Sequence, residues 1–288
     1  MSRTYKATGI NLKAAVMGET DRLLTILTKE HGLLRAIAPG ARKHKSRLGG
    51  RSELFVINEL MLSRGRSLDK MIQAQTQRSF PGLSQSLGRL TAAQYLSELA
   101  LCEASEQPQP ELFELLSTHL EQLETATPSA ILPWLTHGTC QLLALAGIAP
   151  ELHHCCLSRH PIQPQLGDSW QVGFSIPLGG VVTLERLAQL ENNASPADYE
   201  TGRQRRSYGP LTTIIGGAEL ALLQQLSHSE PLVTQVGVSF SEDQLAGPHE
   251  LWRRLERLLR TYAQFHFDRP IRSAALLDSC FSPSAYAS

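Results

Sequence analysis

Residues 10–16 of the chain read Ile-Asn-Leu-Lys-Ala-Ala-Val, and residues 54–62 read Leu-Phe-Val-Ile-Asn-Glu-Leu-Met-Leu. In both stretches apolar residues recur at alternate positions, which is the side-chain period of a β-strand. Glycine and proline breakers divide the surrounding residues 5–75 into about five short runs, with tight turns and one long loop between them. Five strands in so short a segment suit a small closed barrel, so we expect an OB-fold (oligonucleotide-binding fold) at the amino end.

A helical period replaces the strand period after Pro81. Apolar side chains then recur every three to four residues, beginning with Leu83, Leu87 and Leu90. Proline at the start and glycine at the end of such stripes mark helix boundaries. The further helices predicted in this way follow Pro110 or span Thr127–Gly147, Leu211–Ser227 and His249–Phe267.

The segment 149–210 differs from both of these regions, because it is rich in Pro, Gly and His and poorly periodic. Only Trp170–Ile176 and Gly180–Leu184 look like strands within it. We therefore expect an α+β, multidomain chain, in which an α-helical domain with a small irregular, zinc-finger-like insert follows the barrel. The expected domains are residues 1–80 for the barrel, 81–148 with 211–288 for the helical domain, and 149–210 for the insert.

Charge is distributed very unevenly along the chain. Residues 1–80 hold 15 basic and 6 acidic residues, a net charge of +9, whereas residues 81–288 hold 12 basic and 21 acidic residues, a net charge of −9. Clustered cations raise the local potential and attract phosphate backbones. The amino-terminal part is therefore expected to bind a polyanion, and nucleic acid is the natural candidate.

The densest cationic cluster is the segment Gly40–Arg51, here called the basic loop. No acidic residue occurs between Glu30 and Glu53. A solvated loop that serves solubility is the alternative interpretation, but such loops usually carry mixed charge, so we predict phosphate binding. The predicted nucleic-acid contacts are Arg42, Lys43, Lys45, Arg47 and Arg51, supported by Arg35, Arg64 and Arg66.

Other kinds of site are poorly supported by the sequence. The basic loop lacks the second glycine of a nucleotide-triphosphate loop, and no motif of a hydrolytic nucleophile is present, so we predict no catalytic residues. Aromatic residues are few, and Tyr5 and Phe55 are expected in the core rather than under stacked bases. Binding should therefore be mainly electrostatic, tolerant of sequence and steeply dependent on salt.

A cluster of histidines and cysteines, His153-His154-Cys155-Cys156 followed by His160, suggests a metal site at first sight. Structural zinc needs two pairs of ligands, and the second pair is missing, so no metal ligands are predicted. A metal-dependent nuclease or hydrolase stays open as an alternative function. It would use His153, His154, Cys155 and His160 with nearby acids such as Asp168. Four arginines of the last long helix, at 253, 254, 257 and 260, are expected on its solvent face.

Five scattered cysteines do not form a disulfide framework, and the sequence shows neither a signal peptide nor a membrane span. Reduced thiols and a cytoplasmic location without membrane association are therefore expected. Oligomeric state and strand preference are not encoded in any pattern. An RNA-binding module with the same barrel also stays open, since cations contact phosphate rather than the 2′-hydroxyl.

Three motifs of the basic part resemble a known family in order and spacing. They are Glu19-Thr20-Asp21-Arg22-Leu23-Leu24, then Glu30-His31-Gly32, then Gly40-Ala41-Arg42-Lys43 with Ser46-Arg47. The chain thereby resembles RecO, a family of bacterial DNA repair and recombination mediators. The resemblance covers the first eighty residues well and continues more weakly, for example at Ile148–Leu152 and Gly179-Gly180.

The resemblance implies binding to single- and double-stranded DNA, annealing of complementary strands, and help in loading RecA onto strands coated by single-strand-binding protein (SSB). It implies RecR, the acidic carboxyl-terminal tail of SSB and, in some systems, RecF as partners, with a place in the cytoplasm at the nucleoid. Many RecO-like proteins also carry a four-cysteine zinc module. Its ligand positions fall here on Cys155, Ser158, Thr183 and Arg186, so we expect no zinc and no other cofactor.

Overall fold

The computed structural model describes residues 4–165, 169–193, 211–227 and 249–281. Contacts divide the chain into two compact units, one of residues 1–138 with 271–288 and one of residues 139–270. The predicted domain boundaries after residues 80, 148 and 210 stay a prediction. The described strands are β1 (Thr4–Met17), β2 (Asp21–Thr28), β3 (Gly32–Ala38), β4 (Ile57–Ser63), β5 (Asp69–Arg78), β6 (Gln171–Ser175), β7 (Gly180–Val182) and β8 (Thr212–Gly216).

The first five strands close into a barrel in the order β1-β2-β3-β5-β4. Neighbouring strands run antiparallel except β3 and β5, which pair in parallel and place Ile37 opposite Lys70. Alternate side chains of β4 point inward, as its period predicts, whereas residues 13–17 at the end of β1 are all exposed, including the predicted inward positions Ala14 and Val16. A five-stranded closed barrel followed by helices confirms the predicted α+β fold and its OB-type amino-terminal domain.

The barrel core is built from the inward positions of the strands. Leu24 and Ile26 of β2 meet Leu60 and Leu62 of β4, and all four are at most 1% exposed. Burying each such side chain contributes roughly 1.5–3 kcal/mol. A β-bulge in β1, where the pairing register with β2 shifts between Asn11 and Lys13, bends this long strand so that it pairs with β4 at one end and β2 at the other.

Helices make up most of the remaining described chain. In the first unit, Ser86 caps the first helix by accepting the N–H of Arg89 at 3.5 Å, and Pro110 occupies the first turn of the second. Gly147, with φ of +72°, follows the third helix as predicted. The helices are α1 (Leu87–Glu103), α2 (Pro110–Thr125), α3 (Ile131–Leu145), α4 (Leu184–Asn193), α5 (Gly217–Leu226), α6 (His249–Phe267) and α7 (Ala274–Cys280).

Two histidines form a buried pair between α2 and α3. His119 and His137 are each 5% exposed, and Nε2 of His119 lies 3.2 Å from Nδ1 of His137. Nδ1 of His119 donates to the carbonyl of Leu115 at 2.9 Å, so its Nε2 must be the acceptor of the pair. Burial lowers the pKa of His119 although the Leu115 carbonyl acts in the opposite direction. His119 is therefore held neutral.

The barrel packs closely on the segment that joins α1 to α2. The N–H of Leu33 donates to the carbonyl of Ser105 at 2.7 Å. Gly32 has φ of +63°, and a Cβ there would lie 2.3 Å from the Ser105 oxygen and 2.1 Å from that of Gln107. Only glycine fits this contact, because any side chain would overlap two backbone oxygens.

The second unit contains a three-stranded sheet in the order β7-β6-β8. Phe174 of β6 packs edge-to-face on Tyr262 of α6, with ring centroids 5.8 Å apart, and both side chains are buried. Strands β6 and β7 lie within the two strand-like pieces predicted in the insert.

The predicted helix Leu211–Ser227 is wrong in its first part. Thr212–Gly216 forms β8, which pairs antiparallel with β6 and places Ile215 opposite Val172. The β-branched sequence Thr-Thr-Ile-Ile favours a strand once a partner strand is available. The helix begins only at Gly217, where the Glu219 carboxylate accepts the N–H of Gly216 at 2.7 Å.

The predicted solvent face of α6 also needs correction. Arg254 and Arg257 are exposed, but the side chains of Arg253 and Arg260 are only 11% and 12% exposed. Arg260 forms an ion pair of 2.5 Å with Glu256, whose side chain is 3% exposed. A buried carboxylate requires such a cation, and this draws Arg260 inward.

Candidate nucleic-acid interface

The basic loop follows β3 as a series of short turns. The N–H of Lys43 donates to the carbonyl of Gly40 at 3.0 Å, and the N–H of Ser46 donates to that of Lys43 at 3.1 Å. The Asp21 carboxylate accepts the N–H of Gly40 at 2.7 Å, and this hydrogen bond is the main cause that lowers the pKa of Asp21. Gly40 has φ of +63°, which favours glycine. A loop tied in this way holds its side chains in defined positions.

Arg42, a predicted phosphate contact, ties the loop to the turn between β1 and β2. Its Nη1 donates to the carbonyls of Gly18 at 3.2 Å and Glu19 at 3.0 Å, and its backbone N–H donates to Thr20 at 2.9 Å. The side chain is exposed, but part of its guanidinium is already used. Arg42 therefore has a structural role beside any contact with phosphate.

Arg51 closes the other end of the loop. It is half-buried, its Nη1 donates to the carbonyl of Arg47, and its own carbonyl accepts the side-chain amides of Asn11 at 2.8 Å and Asn58 at 2.9 Å. These bonds fasten the loop to β1 and β4. Arg51, too, is a structural residue as well as a predicted contact.

Besides Arg42, the exposed cations of the loop are Lys43, Lys45 and Arg47. No carboxylate among the described residues lies within ion-pair distance of these three. Lys45 has φ of +64°, in the left-handed region. Several other cations of the first eighty residues are neutralised by glutamates. These pairs are Lys6 with Glu59, Lys29 with Glu114 and Arg78 with Glu121. Among the described residues of this part, the cations without such a partner lie in the basic loop and elsewhere on the outside of the barrel.

A second group of cations, here called the cationic face, lies on the outside of the barrel. The register places Lys13 of β1, Thr25 of β2 and Arg35 of β3 in one cross-strand row, with Lys13 and Arg35 exposed. The neighbouring row carries Ile37 opposite Lys70 of β5, which is also exposed. Directly paired residues point to the same side of a sheet, so Lys13, Arg35 and Lys70 share the outer surface.

The basic loop adjoins this cationic face at Asp21. The charges of Lys43 from the loop and Lys70 from β5 both act on the Asp21 carboxylate and contribute to its lowered pKa. Sequence reasoning predicted Arg35 but missed Lys13 and Lys70, which lie far from the loop along the chain. The register of the paired strands brings these three residues onto one surface, and that register cannot be read from the composition of the sequence.

Arg64 and Arg66, the remaining predicted contacts, are exposed on the turn between β4 and β5. The Arg64 guanidinium lies 5.4 Å from the centre of the Tyr5 ring. Burial, together with a hydrogen bond to Asp69, raises the pKa of Tyr5. Phe55 is 4% exposed. Phe55 lies in the core, as predicted, and Tyr5 is half-buried with its hydroxyl engaged, so neither offers a free stacking platform.

The candidate metal cluster does not form within the part of the chain that the structure describes. No group of three or more His, Cys, Asp or Glu residues there is arranged to hold a metal ion. The Glu151 carboxylate is occupied by the backbone N–H groups of His153 and His154, at 2.9 Å and 3.0 Å. Asp168, the acid of the alternative hydrolase, lies outside the described residues.

These features define a class, namely an OB-barrel protein whose barrel carries an unpaired basic loop beside a cationic face and continues into a helical region. Within the described residues, no helix combines the length and apolarity needed to cross a lipid bilayer. The family model described as "Recombination protein O N terminal" matches residues 1–80, and that described as "Recombination protein O C terminal" matches residues 84–275.

Curated relatives agree with these matches over nearly the whole chain. The chain is 50% identical to a DNA repair protein RecO of Acaryochloris marina, over 98% of this chain and 97% of the relative. It is 47% identical to those of Nostoc sp., over 98% of both chains, and of Gloeobacter violaceus, over 98% of this chain and 96% of the relative. The chain belongs to the RecO family of DNA repair proteins.

Proposed function

We propose that this chain is a non-enzymatic mediator of homologous recombination, which binds single- and double-stranded DNA and anneals complementary strands. The observation that carries the proposal is the set of unpaired cations Lys43, Lys45 and Arg47, held on a hydrogen-bonded loop beside the cationic face. Family membership supports a role in DNA repair.

Annealing requires two polyanions to approach each other. Lysine and arginine at the barrel surface replace condensed counterions on the phosphates, and the release of those ions favours binding. Such contacts position the backbone without reading bases, so strands of any sequence can be brought together. No chemistry on the strands is needed, and this supports a protein without a catalytic site.

A groove in the second unit supports binding of the acidic carboxyl-terminal tail of SSB. Its volume is about 220 Å³, and apolar, arginine and threonine side chains line it together. Arg254 at its edge is held 3.0 Å from Glu219. An acidic peptide would compete with the Glu219 carboxylate for Arg254, and the apolar part of the lining suits its apolar side chains. The lining residues are Ile176, Leu211, Thr213, Arg254, Arg257, Leu258 and Thr261.

Binding the SSB tail would bring the barrel to strands that SSB already covers, and this would assist the loading of RecA there. RecR, and RecF in some systems, complete the proposed set of partners, with RecA reached indirectly. The proposed location is the cytoplasm, at the nucleoid. These partners are the ones that the resemblance to the RecO family implies.

Strand annealing of complementary oligonucleotides, with and without SSB, tests the proposal. We expect the chain to accelerate annealing in both conditions and to leave the strands at full length. An Arg257→Glu variant should lose the acceleration only on SSB-coated strands, because it alters the groove and not the barrel. Arg269→Glu, which changes an exposed arginine that does not line the groove, is the matched control.

The same assay separates the alternatives. Shortened strands would support the metal-dependent nuclease and contradict the mediator. Competition by an RNA strand of equal length, at fixed salt, addresses the RNA-binding module. Unlabelled DNA of the same length is the reference competitor. If RNA displaces the labelled DNA at a concentration well below the one at which unlabelled DNA does so, the proposed DNA-binding function is wrong.

A further inference from the structure

The end of β1 extends beyond the strand that flanks it on one side. Its pairing with β4 stops at Ile10, whereas its pairing with β2 continues to Met17. Within the part of the chain that the structure describes, no strand pairs with the other side of Lys13–Met17. This segment, here called the free edge of β1, is therefore an edge strand at the rim of the barrel.

Both faces of the free edge are exposed, and both carry apolar side chains. Successive side chains of a strand point to opposite faces, so Ala14 and Val16 lie on one face and Ala15 and Met17 on the other. All four are exposed, and Val16, at 67%, has the largest exposed fraction of the large apolar side chains in the described ranges. Contiguous apolar surface of this kind marks a binding site, and here it is offered on two opposite sides.

Hydrogen bonds hold the free edge beside the basic loop. Arg42 of the loop donates from Nη1 to the carbonyls of Gly18 at 3.2 Å and Glu19 at 3.0 Å, in the turn that directly follows Met17. The backbone N–H of Arg42 also donates to the carbonyl of Thr20 in that turn, at 2.9 Å. A DNA strand whose phosphates lie on the basic loop would therefore carry its bases past the free edge.

The charges around the free edge favour bases over phosphates as its partner. Glu19, just beyond Met17, is exposed, and no cation of the described residues lies within ion-pair distance of it. Its carboxylate repels phosphate, so the tip is unsuited to a contact with the DNA backbone. Apolar side chains, methionine among them, contact and separate bases in many DNA complexes. Unpaired bases expose the faces that such contacts need.

We propose that the free edge of β1 is a wedge for unpaired bases, which stands between two DNA strands at a fork, where duplex and single strands meet, and contacts bases on both of its faces. A closed duplex hides its base faces by stacking, so the free edge adds affinity only for forked DNA. The inference rests on the proposed DNA binding and adds a preference for DNA structure that phosphate contacts do not provide.

Binding of the full chain to two DNA molecules tests the wedge. One is a forked duplex and the other a blunt duplex with the same number of phosphates, and affinities are measured by fluorescence anisotropy at one salt concentration. The wild type should bind the fork about fivefold more tightly than the blunt duplex. A 2-aminopurine base at the fork should become brighter on binding, because the wedge unstacks it.

Two double variants separate apolar character from shape. Val16→Thr with Met17→Gln makes both faces more polar at nearly the same size, and it should lose both the preference for the fork and the 2-aminopurine signal. Val16→Ile with Met17→Leu keeps the faces apolar and should retain both. Affinity for the blunt duplex should be the same in the wild type and the two variants, which also shows that the barrel is folded.

Each other outcome refutes a different part of the argument. A polar variant that keeps the preference for the fork, or a wild type that binds both DNA molecules equally, would overturn the wedge alone, since binding to the blunt duplex would still support the proposed function. A wild type that binds neither molecule would refute both. A wild-type dimer in sedimentation that the polar variant dissolves would overturn the wedge by assigning the free edge to a second copy of the chain.

Discussion

Neutralising the unpaired cations of the basic loop should weaken DNA binding in a way that depends on salt. The perturbation is the triple variant Lys43→Gln, Lys45→Gln and Arg47→Gln. These side chains are exposed, and no carboxylate among the described residues pairs with them. Each is therefore available to one phosphate, and glutamine keeps a similar length without the charge.

The magnitude follows from counterion release. Each lost phosphate contact lowers the slope of log K against log salt by about 0.9 on duplex DNA and about 0.7 on a single strand. Three contacts then lower it by about 2.7 and about 2.1, so affinity at 0.1 M salt falls by up to about 500-fold and about 100-fold.

The assay is fluorescence anisotropy of labelled duplex and single-stranded oligonucleotides over a series of salt concentrations. The matched control is Lys6→Gln, Lys29→Gln and Arg78→Gln, which removes the same total charge from cations that glutamates already neutralise. We expect its slope to stay within about 0.5 of the wild-type slope. Equal losses in the two triple variants would refute the reasoning, since net charge rather than the loop would then govern binding.

Three further predictions concern stability. His119 is buried neutral with a lowered pKa, so the unfolded chain takes up a proton on this residue at a higher pH than the folded chain does. The free energy of unfolding should therefore fall as the pH decreases below about 6.5. Urea titrations from pH 7.5 to pH 5 check this, and a flat profile would contradict it. Gly180→Ala should lower the free energy of unfolding by at least about 2 kcal/mol more than Gly147→Ala, because its Cβ would overlap the Glu151 carbonyl oxygen. Gly147 also has a positive φ, but no atom lies within 4 Å of the Cβ that alanine would add there. Equal losses in the two variants would show that backbone strain alone matters. Glu256→Ala should cost about 3–5 kcal/mol because it leaves Arg260 without its buried carboxylate, and a loss below about 1 kcal/mol in thermal unfolding would argue against that ion pair.

Local periodicity was sufficient to predict the barrel strands and most helices. The alternation around Ile10 and Leu60 and the stripe of α2 are readable because a regular strand or helix repeats its core-facing side at a fixed interval. It failed at Thr212–Gly216, where the segment is a strand only because β6 lies beside it. Pairing between residues distant in sequence overrides local preference, and a single sequence does not reveal the pairing partner.

The candidate interface was predictable in the loop but not on the barrel face. A run of cations such as Lys43, Lys45 and Arg47 is visible directly in the sequence. The cationic face depends on the bulge that shifts the register between Asn11 and Lys13, and a slip of one residue would send Lys13 to the other side. Likewise, only atomic positions reveal that the Arg42 side chain holds the loop by hydrogen bonds to the carbonyls of Gly18 and Glu19.

The glycine at position 32 sets a limit on how the barrel can be studied in isolation. Its bare backbone rests on the carbonyls of Ser105 and Gln107, beyond the point at which the amino-terminal family match stops. A fragment ending near residue 80 would leave the neighbouring amide of Leu33 without its acceptor, in contact with water instead. The isolated barrel would therefore lack contacts that it has in the whole chain, and binding constants measured on such a fragment would describe a different surface.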